Sequence, residues 1–324
     1  MDHLSTLPLT ERGYFTRRQA LALGETDQSL QAAVRAGVLV RLRYGVYAPA
    51  TGLDGLDERG RHLLLARACV SQQRGRVALA GPTAALFHGF DVFGHELRTV
   101  HLARLDQGSA RRESGIVHHR LGSETSLGVE RHDETLVVSP EDAVWETALL
   151  SGLEGAVVTA DSALHRRPEL VHPLAGVVAR SLTQPHSRTA RLALRLARQE
   201  SESPGESLTR MACYRHGIPA PLLQHDVVDH WGRLLGRADF YWEDFRLLGE
   251  FDGRIKYGRL RREGESAEDA VVREKQREDD MRATACGMAR FVWSEVQPGS
   301  SSRRLLKLRH ELEQSRRLYV RVAG

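Results

Sequence analysis

Two short runs hold acids at spacings that suit metal-assisted chemistry. Residues 237–242 read RADFYW and carry Asp239; Gly249–Tyr257 reads GEFDGRIKY and carries Glu250, Asp252 and Lys256. Hydrolysis of a phosphodiester draws on a divalent cation that stabilises charge on the phosphoryl oxygens and activates water. Magnesium prefers hard oxygen ligands and is commonly held by one or two carboxylates plus waters and substrate phosphate. Asp239 on one strand and Glu250 on the next could supply those carboxylates. In an extended strand Glu250, Asp252, Arg254 and Lys256 point the same way, so Lys256 could orient water, although Gly253 can break the strand first. The competing reading is ordinary surface ion pairing of these acids with Arg233, Arg237 or Arg254.

Positioning such a set needs a sheet, and residues 203–324 contain the elements for one. A helix from SPGESLTRMACYRHG is followed by three short strands, LLQHDVVD, GRADFYW and RLLGEFDG. A charged helical stretch, EDAVVREKQREDDMRATACG, leads to a strand, ARFVWSEV, and a last helix, SSRRLLKLRHELEQSRR. Ser203-Pro204-Gly205-Glu206 opens the first helix as a capping box with Pro in its first turn, so Glu206 is either a cap alone or a further active-site acid.

The order helix, three strands, helix, strand, helix is that of the PD-(D/E)XK nuclease core. SESPGESLTR, GIPAPLLQ, RADFYW, GEFDGRIKYG and MARFVW resemble a branch of that fold related to very-short-patch-repair endonucleases, over residues 200 to 300. The resemblance implies a restriction-endonuclease-like α/β core and Mg²⁺ or Mn²⁺ as cofactor. It implies Glu206 as the acid of the first helix, Asp239 as the metal-binding aspartate and Glu250 as the second acid. Asp252 would assist at the metal. It stands where the general motif has lysine, a departure usual in this branch; Lys256, or more weakly Lys275, takes the place of the missing lysine.

The first fifty residues read differently. Thr16 with Gln19 fits a capping box for a helix that ends at Gly24. A second helix starts near Thr26 or Asp27 and stops at Gly37. VLVRLRYGVYAP then reads as a β-hairpin turning at Tyr44-Gly45. Helix, turn, helix and hairpin form a winged helix-turn-helix whose second helix enters a groove of duplex DNA. Gln28, Ser29, Gln31 and Arg35 on that helix, Arg41, Arg43 and Tyr44 on the wing, and Arg17 and Arg18 are the candidate DNA contacts. The same shape also serves for docking proteins. RGYFTRRQALALG and GVLVRLRYGVYAP resemble the N-terminal domain of AbiEi-type antitoxins, a pairing with the nuclease branch frequent in actinobacteria. That resemblance implies DNA binding, repression of an operon and a toxin encoded nearby.

Between these ends, residues 58–165 alternate apolar helices with short strands in an α+β module that also resembles AbiEi-like chains. Ser139 caps a helix with Pro140 at its first turn. His118 and His119 are adjacent in a strand and point to opposite faces, which argues against a shared metal with His132. No Walker loop, GxGxxG, GxSxG or paired CxxC occurs. Residues 166–202 form an Arg- and Ser-rich helical linker. Arg188, Arg191, Arg195 and Arg198 share one face there, either a solvated face or a ridge that tracks phosphates.

The bulk properties bound these readings. A chain of 324 residues with 41% hydrophobic and 27% charged residues expects two or three globular domains. The expected fold class is α+β multidomain, with a winged helix at residues 1–52 and the nuclease-like core at 203–324. Three scattered cysteines suit a reducing cytoplasm. No apolar run spans a membrane and no signal peptide opens the chain. A net charge of +4 and a pI near 9.1 permit nucleic-acid binding, or reflect an arginine-rich composition. The leading expectation is a DNA-binding, Mg-dependent endonuclease of phage defence or DNA repair. The alternative is a non-enzymatic, antitoxin-like repressor whose nuclease fold is inactive.

Overall fold

The computed structural model describes residues 13–73, 76–106, 108–120, 128–133, 135–181, 183–253, 269, 272–273, 276–277, 280–281, 283–284 and 286–320. The chain is a mixed α+β protein with several sheets and more than one domain. Two compact units divide it. One comprises Met1–Thr159 and Glu169–Leu192; the other comprises Ala160–Pro168 and Ala193–Gly324. No helix among the described residues is long and apolar enough to cross a membrane.

The first unit opens with β1 (Phe15–Thr16), α1 (Arg17–Ala22), α2 (Asp27–Arg35), β2 (Leu39–Arg43) and β3 (Val46–Pro49). Both helices start on reciprocal caps, Thr16 with Gln19 and Thr26 with Ser29. Each cap satisfies amide groups that have no partner inside the helix, which fixes where the helix begins. Gly45 takes a left-handed conformation (φ +71°) that lets the chain reverse between β2 and β3. Sheet order is β1-β3-β2. Phe15, Ala20, Leu30, Ala33, Leu39 and Tyr47 close its small core.

The hairpin's other apolar residues, Val46 and Ala48, join Tyr14 against Leu64 and Ala68 of α3 (Glu58–Ser71). A six-stranded mixed sheet follows, built from β4 (Val77–Leu79), β5 (Val100–Arg104), β6 (Arg111–Glu113), β7 (Ile116–Arg120), β8 (Val129–His132) and β9 (Thr135–Val138). Its order is β6-β7-β5-β4-β9-β8. It carries α4 (Gly81–Phe87) and α5 (Pro140–Leu150), the latter capped by Ser139 with Pro140 in its first turn, as the sequence predicts. The chain continues through α6 (Leu153–Arg166), α7 (Val171–Arg180) and α8 (Ser187–Leu196).

The second unit is built on one four-stranded sheet. Helix α9 (Pro204–Arg215) precedes β10 (Leu222–Val228), β11 (Leu234–Trp242) and β12 (Leu247–Asp252); β13 (Gly287–Val292), α10 (Trp293–Val296) and α11 (Ser302–Tyr319) complete it. The strands lie in the order β10-β11-β12-β13, antiparallel except for the parallel pair β12–β13. A parallel pair needs a crossover connection, and the described residues between Asp269 and Met281 are helical. Leu305, Leu308 and Leu312 recur at helical spacing on the buried side of α11. Asp161 anchors the start of α9: its carboxylate, 1% exposed, accepts from Arg210 Nη2 at 2.6 Å, Ser207 Oγ at 2.7 Å and the Arg198 amide at 2.7 Å.

Candidate active site

Asp239 and Glu250 come together because β11 and β12 run antiparallel in a register that pairs Phe240 with Gly249. One residue further, that register sets Asp239 beside Glu250, and directly opposed residues present their side chains on the same face. The backbone ladder ends at Phe240–Gly249, and the Asp239 carboxylate takes over: its Oδ2 accepts from the Phe251 amide at 2.7 Å. Asp252, two residues beyond Glu250, shares the face but stands about 7 Å further along the strand. Asp239, Glu250 and Asp252 are all partly buried. Lys256 and Lys275 lie outside the described residues, as does Arg254.

Two of the three arginines expected to neutralise these acids are engaged elsewhere. Arg233 pairs with Asp229 and Arg237 with Glu202. Glu250 pairs instead with Arg277, Oε1 to Nη2 at 2.8 Å, at a side-chain exposure of only 15%. Arg277 also reaches the Arg237 carbonyl. Nothing in the spacing of the charged stretch marked Arg277 out from its neighbours.

Glu206 is buried at the start of α9 and its carboxylate is well supplied with donors. Ser203 Oγ donates at 2.7 Å, the Glu202 amide at 2.9 Å and Gln224 Nε2 at 2.9 Å. Gln224 has a left-handed backbone (φ +49°) and is skipped in the β10–β11 ladder, whose register is the same on either side of it, at Leu223–Phe240 and His225–Ala238. His225 stacks on Tyr241, with ring centroids 4.2 Å apart. Gly205 lies against the Phe251 ring, and Phe251 alternates to the face opposite Glu250. The capping role of Glu206 is therefore visible in its bonds, and α9 covers the other face of the sheet from Asp239 and Glu250.

A divalent cation fits the chemistry of the donor set to this extent: two carboxylates share one face of adjacent strands, and their oxygens are the hard ligands magnesium takes. Among the described residues no group of three or more His, Cys, Asp or Glu side chains is placed to hold a metal ion.

In the first unit the candidate DNA contacts divide into two sets. Arg18, Gln28, Gln31, Arg35, Arg41 and Tyr44 are exposed, and the Arg41 guanidinium lies 5.3 Å from the centre of the Tyr44 ring. Arg17 is exposed but committed to Asp27 through two bonds of 2.7 and 2.6 Å. That contact holds the Asp27 carboxyl below its usual range. Ser29 is the reciprocal partner of the Thr26 cap and contacts Glu25 Oε2 at 2.6 Å, so its hydroxyl is occupied by the helix start. Arg43 is turned inward. Its Nε and Nη1 are buried, with no hydrogen-bond partner among the described residues, near the buried Cys69 thiol, which burial pushes up and Arg43 draws down. The inward turn follows from a register shift between Arg41 and Arg43, which sets Arg43 opposite the buried Val46 and which strand periodicity does not encode.

No family model matches the chain. Two proteins of Mycobacterium tuberculosis match it: "Uncharacterized protein Rv2248" (strain H37Rv) and "Uncharacterized protein MT2308" (strain CDC 1551). Each is 33% identical over 229 residues, which cover 70% of this chain and 78% of the relative. The chain belongs to the family of these mycobacterial proteins.

Two features of this family member were not singled out by its sequence pattern. Trp231, in the turn between β10 and β11, is 78% exposed. Its ring lies against that of His230, with centroids 3.3 Å apart. In the six-stranded sheet, His101 Nδ1 and His119 Nε2 are 2.9 Å apart, and His62, also buried, bonds Thr83 Oγ1 and the Leu97 carbonyl. Burial, reinforced by the neighbouring His119, His95 and His62, pushes the His101 pKa down to about 3. His118 faces the other way, to Glu113, so the adjacent histidines do not share a ligand.

Proposed function

We propose that this chain is a DNA-binding protein whose second unit is a metal-dependent endonuclease of the PD-(D/E)XK type. The observation that carries the reading is the juxtaposition of Asp239 and Glu250 across β11 and β12, supported by the resemblance of the sequence to the nuclease core. The first unit is a winged helix that docks on duplex DNA, with Gln28, Gln31 and Arg35 toward base edges and phosphates and Arg41 and Tyr44 on the wing.

Asp239 and Glu250 hold Mg²⁺ or Mn²⁺, with Asp252 assisting. The bound cation supplies charge stabilisation at the phosphoryl group and acidifies water. Asp239 is oriented for this by the Phe251 amide, which fixes one of its oxygens. Glu250 is held by Arg277, and that guanidinium has to give way before both Glu250 oxygens can serve. The test is cleavage of duplex DNA by Asp239→Ala: loss of metal-dependent cutting is expected, and cutting at the wild-type rate sinks the assignment.

The Glu250–Arg277 pair also favours a second reading, a repressor resembling AbiEi-type antitoxins with a toxin encoded nearby, whose nuclease fold no longer cuts. That reading expects sequence-specific gel shifts that ignore chelator and are lost with Gln28→Ala/Arg35→Ala. Sequence-specific binding undiminished by those changes counts against it.

A further inference from the structure

We infer that the cleft between the hairpin and the six-stranded sheet of the first unit is a phosphate-binding site centred on Arg43. The cleft has a volume of about 1020 Å³ and is lined by five arginines, Arg17, Arg18, Arg43, Arg104 and Arg111. Three of them have carboxylate partners: Arg17 pairs with Asp27, Arg104 with Asp106 and Arg111 with Glu113. Arg18 and Arg43 have none among the described residues, so the cleft keeps uncompensated positive charge.

Arg43 is the distinctive member. A guanidinium cannot shed its proton at any working pH, and buried donors without acceptors are rare in folded proteins. Its Nε and Nη1 are such donors. An anion entering the cleft would satisfy them. A phosphoryl group is a strong charge-assisted partner for arginine, and the other arginines of the cleft add positive charge around it. The cleft is far larger than one phosphoryl group, so the ligand brings further atoms with it. Two sources share this chemistry, a free nucleotide and the backbone of DNA. Only the DNA source rests on the function proposed above.

The test titrates the full-length protein with ATP in the absence of metal, and separately with a short blunt DNA duplex. Wild type is compared with Arg43→Met and with Arg18→Ala. Arg43→Met removes buried unpaired donors while keeping bulk; Arg18 is exposed, so Arg18→Ala reports on the site even if the first variant fails to fold. The expected result is about a tenfold loss of affinity for at least one ligand in Arg43→Met and a smaller loss in Arg18→Ala. Loss confined to ATP assigns a nucleotide. Loss confined to the duplex, with a salt-dependence slope reduced by about one, assigns a backbone phosphate. Binding of both ligands unchanged by both variants overturns the site and leaves DNA binding standing. A protein that binds ATP but not duplex retains the site and defeats the DNA-binding reading. A wild type that binds neither ligand overturns both.

Discussion

Gly205→Ala separates the two effects that meet at the start of α9. In a helix, alanine is favoured over glycine by up to about 1 kcal/mol. Against that, a methyl group at residue 205 would sit 2.0 Å from Phe251 Cε1 and 2.1 Å from Cζ, where ordinary contact begins at 3.4 Å. The ring cannot simply swing away, because Phe251 is buried and meets Trp293 edge-on at 6.2 Å. Forcing a methyl group into a packed site costs about 1–3 kcal/mol. The net expectation is a loss of about 1–2 kcal/mol, or roughly 3–8 °C in melting temperature for a unit of this size. Thermal unfolding followed by tryptophan fluorescence suits the measurement, since Trp231, Trp242 and Trp293 all lie in the second unit. Adding Phe251→Leu makes room for the methyl group, so the double variant should recover about 1 kcal/mol relative to the sum of the single changes. The effect should also reach the candidate active site, because the Phe251 amide orients Asp239. Wild-type stability in Gly205→Ala, or strict additivity with Phe251→Leu, would refute the reasoning.

Asp161→Ala removes the acceptor of Arg210 Nη2, Ser207 and the Arg198 amide and leaves a nearly buried guanidinium without its counter-charge; urea unfolding should show a loss of about 3–5 kcal/mol in the second unit. Arg277→Met removes one ion-pair partner of Glu250, so Mn²⁺ affinity measured by titration should rise about fivefold, corresponding to a pair worth about 1 kcal/mol; unchanged affinity contradicts the proposed competition. The first unit should weaken in acid. His101 stays neutral in the folded state down to about pH 3 but protonates near pH 6.5 when unfolded, so its stabilisation is complete above about pH 6.5. That stabilisation falls by about 1.4 kcal/mol per pH unit on the way down. His62, His95 and His119 are shifted the same way by burial. Glu146, raised to about 7 by desolvation, acts with the opposite sign, its stabilisation being full below about pH 4.3 and lost as pH rises toward 7. Unfolding measured between about pH 4.5 and 7 should therefore show a flatter slope for His101→Asn and a steeper one for Glu146→Gln.

The parts legible from sequence were those set by local rules. The caps at Thr16, Ser139 and Ser203 are short-range patterns, and each stands at a helix start; the start of the second helix, read as Thr26 or Asp27, is capped by Thr26. The shared face of Asp239 and Glu250 follows from strand alternation once two strands are neighbours. What escaped depends on elements distant in the chain. Arg43 follows the alternation of an exposed strand in the sequence, but a register shift between Arg41 and Arg43 sets it opposite the buried Val46. Gln224 departs from the strand pattern through one left-handed residue that serves Glu206. The partner of Glu250 is Arg277, which enters from the crossover segment and has no signature apart from its charge. Gly205 looked like one residue of a capping motif, whereas its lack of a side chain is required by the ring of Phe251.

The central claim is that Asp239 and Glu250 form a working nuclease site, and cleavage of supercoiled and mismatched duplex DNA tests it most directly. Purified wild type and Glu250→Ala are compared with Mg²⁺, with Mn²⁺ and with chelator. The account predicts metal-dependent cutting by wild type that chelator and the substitution both abolish. DNA bound but uncut under either metal, or cutting that survives Glu250→Ala, would contradict it.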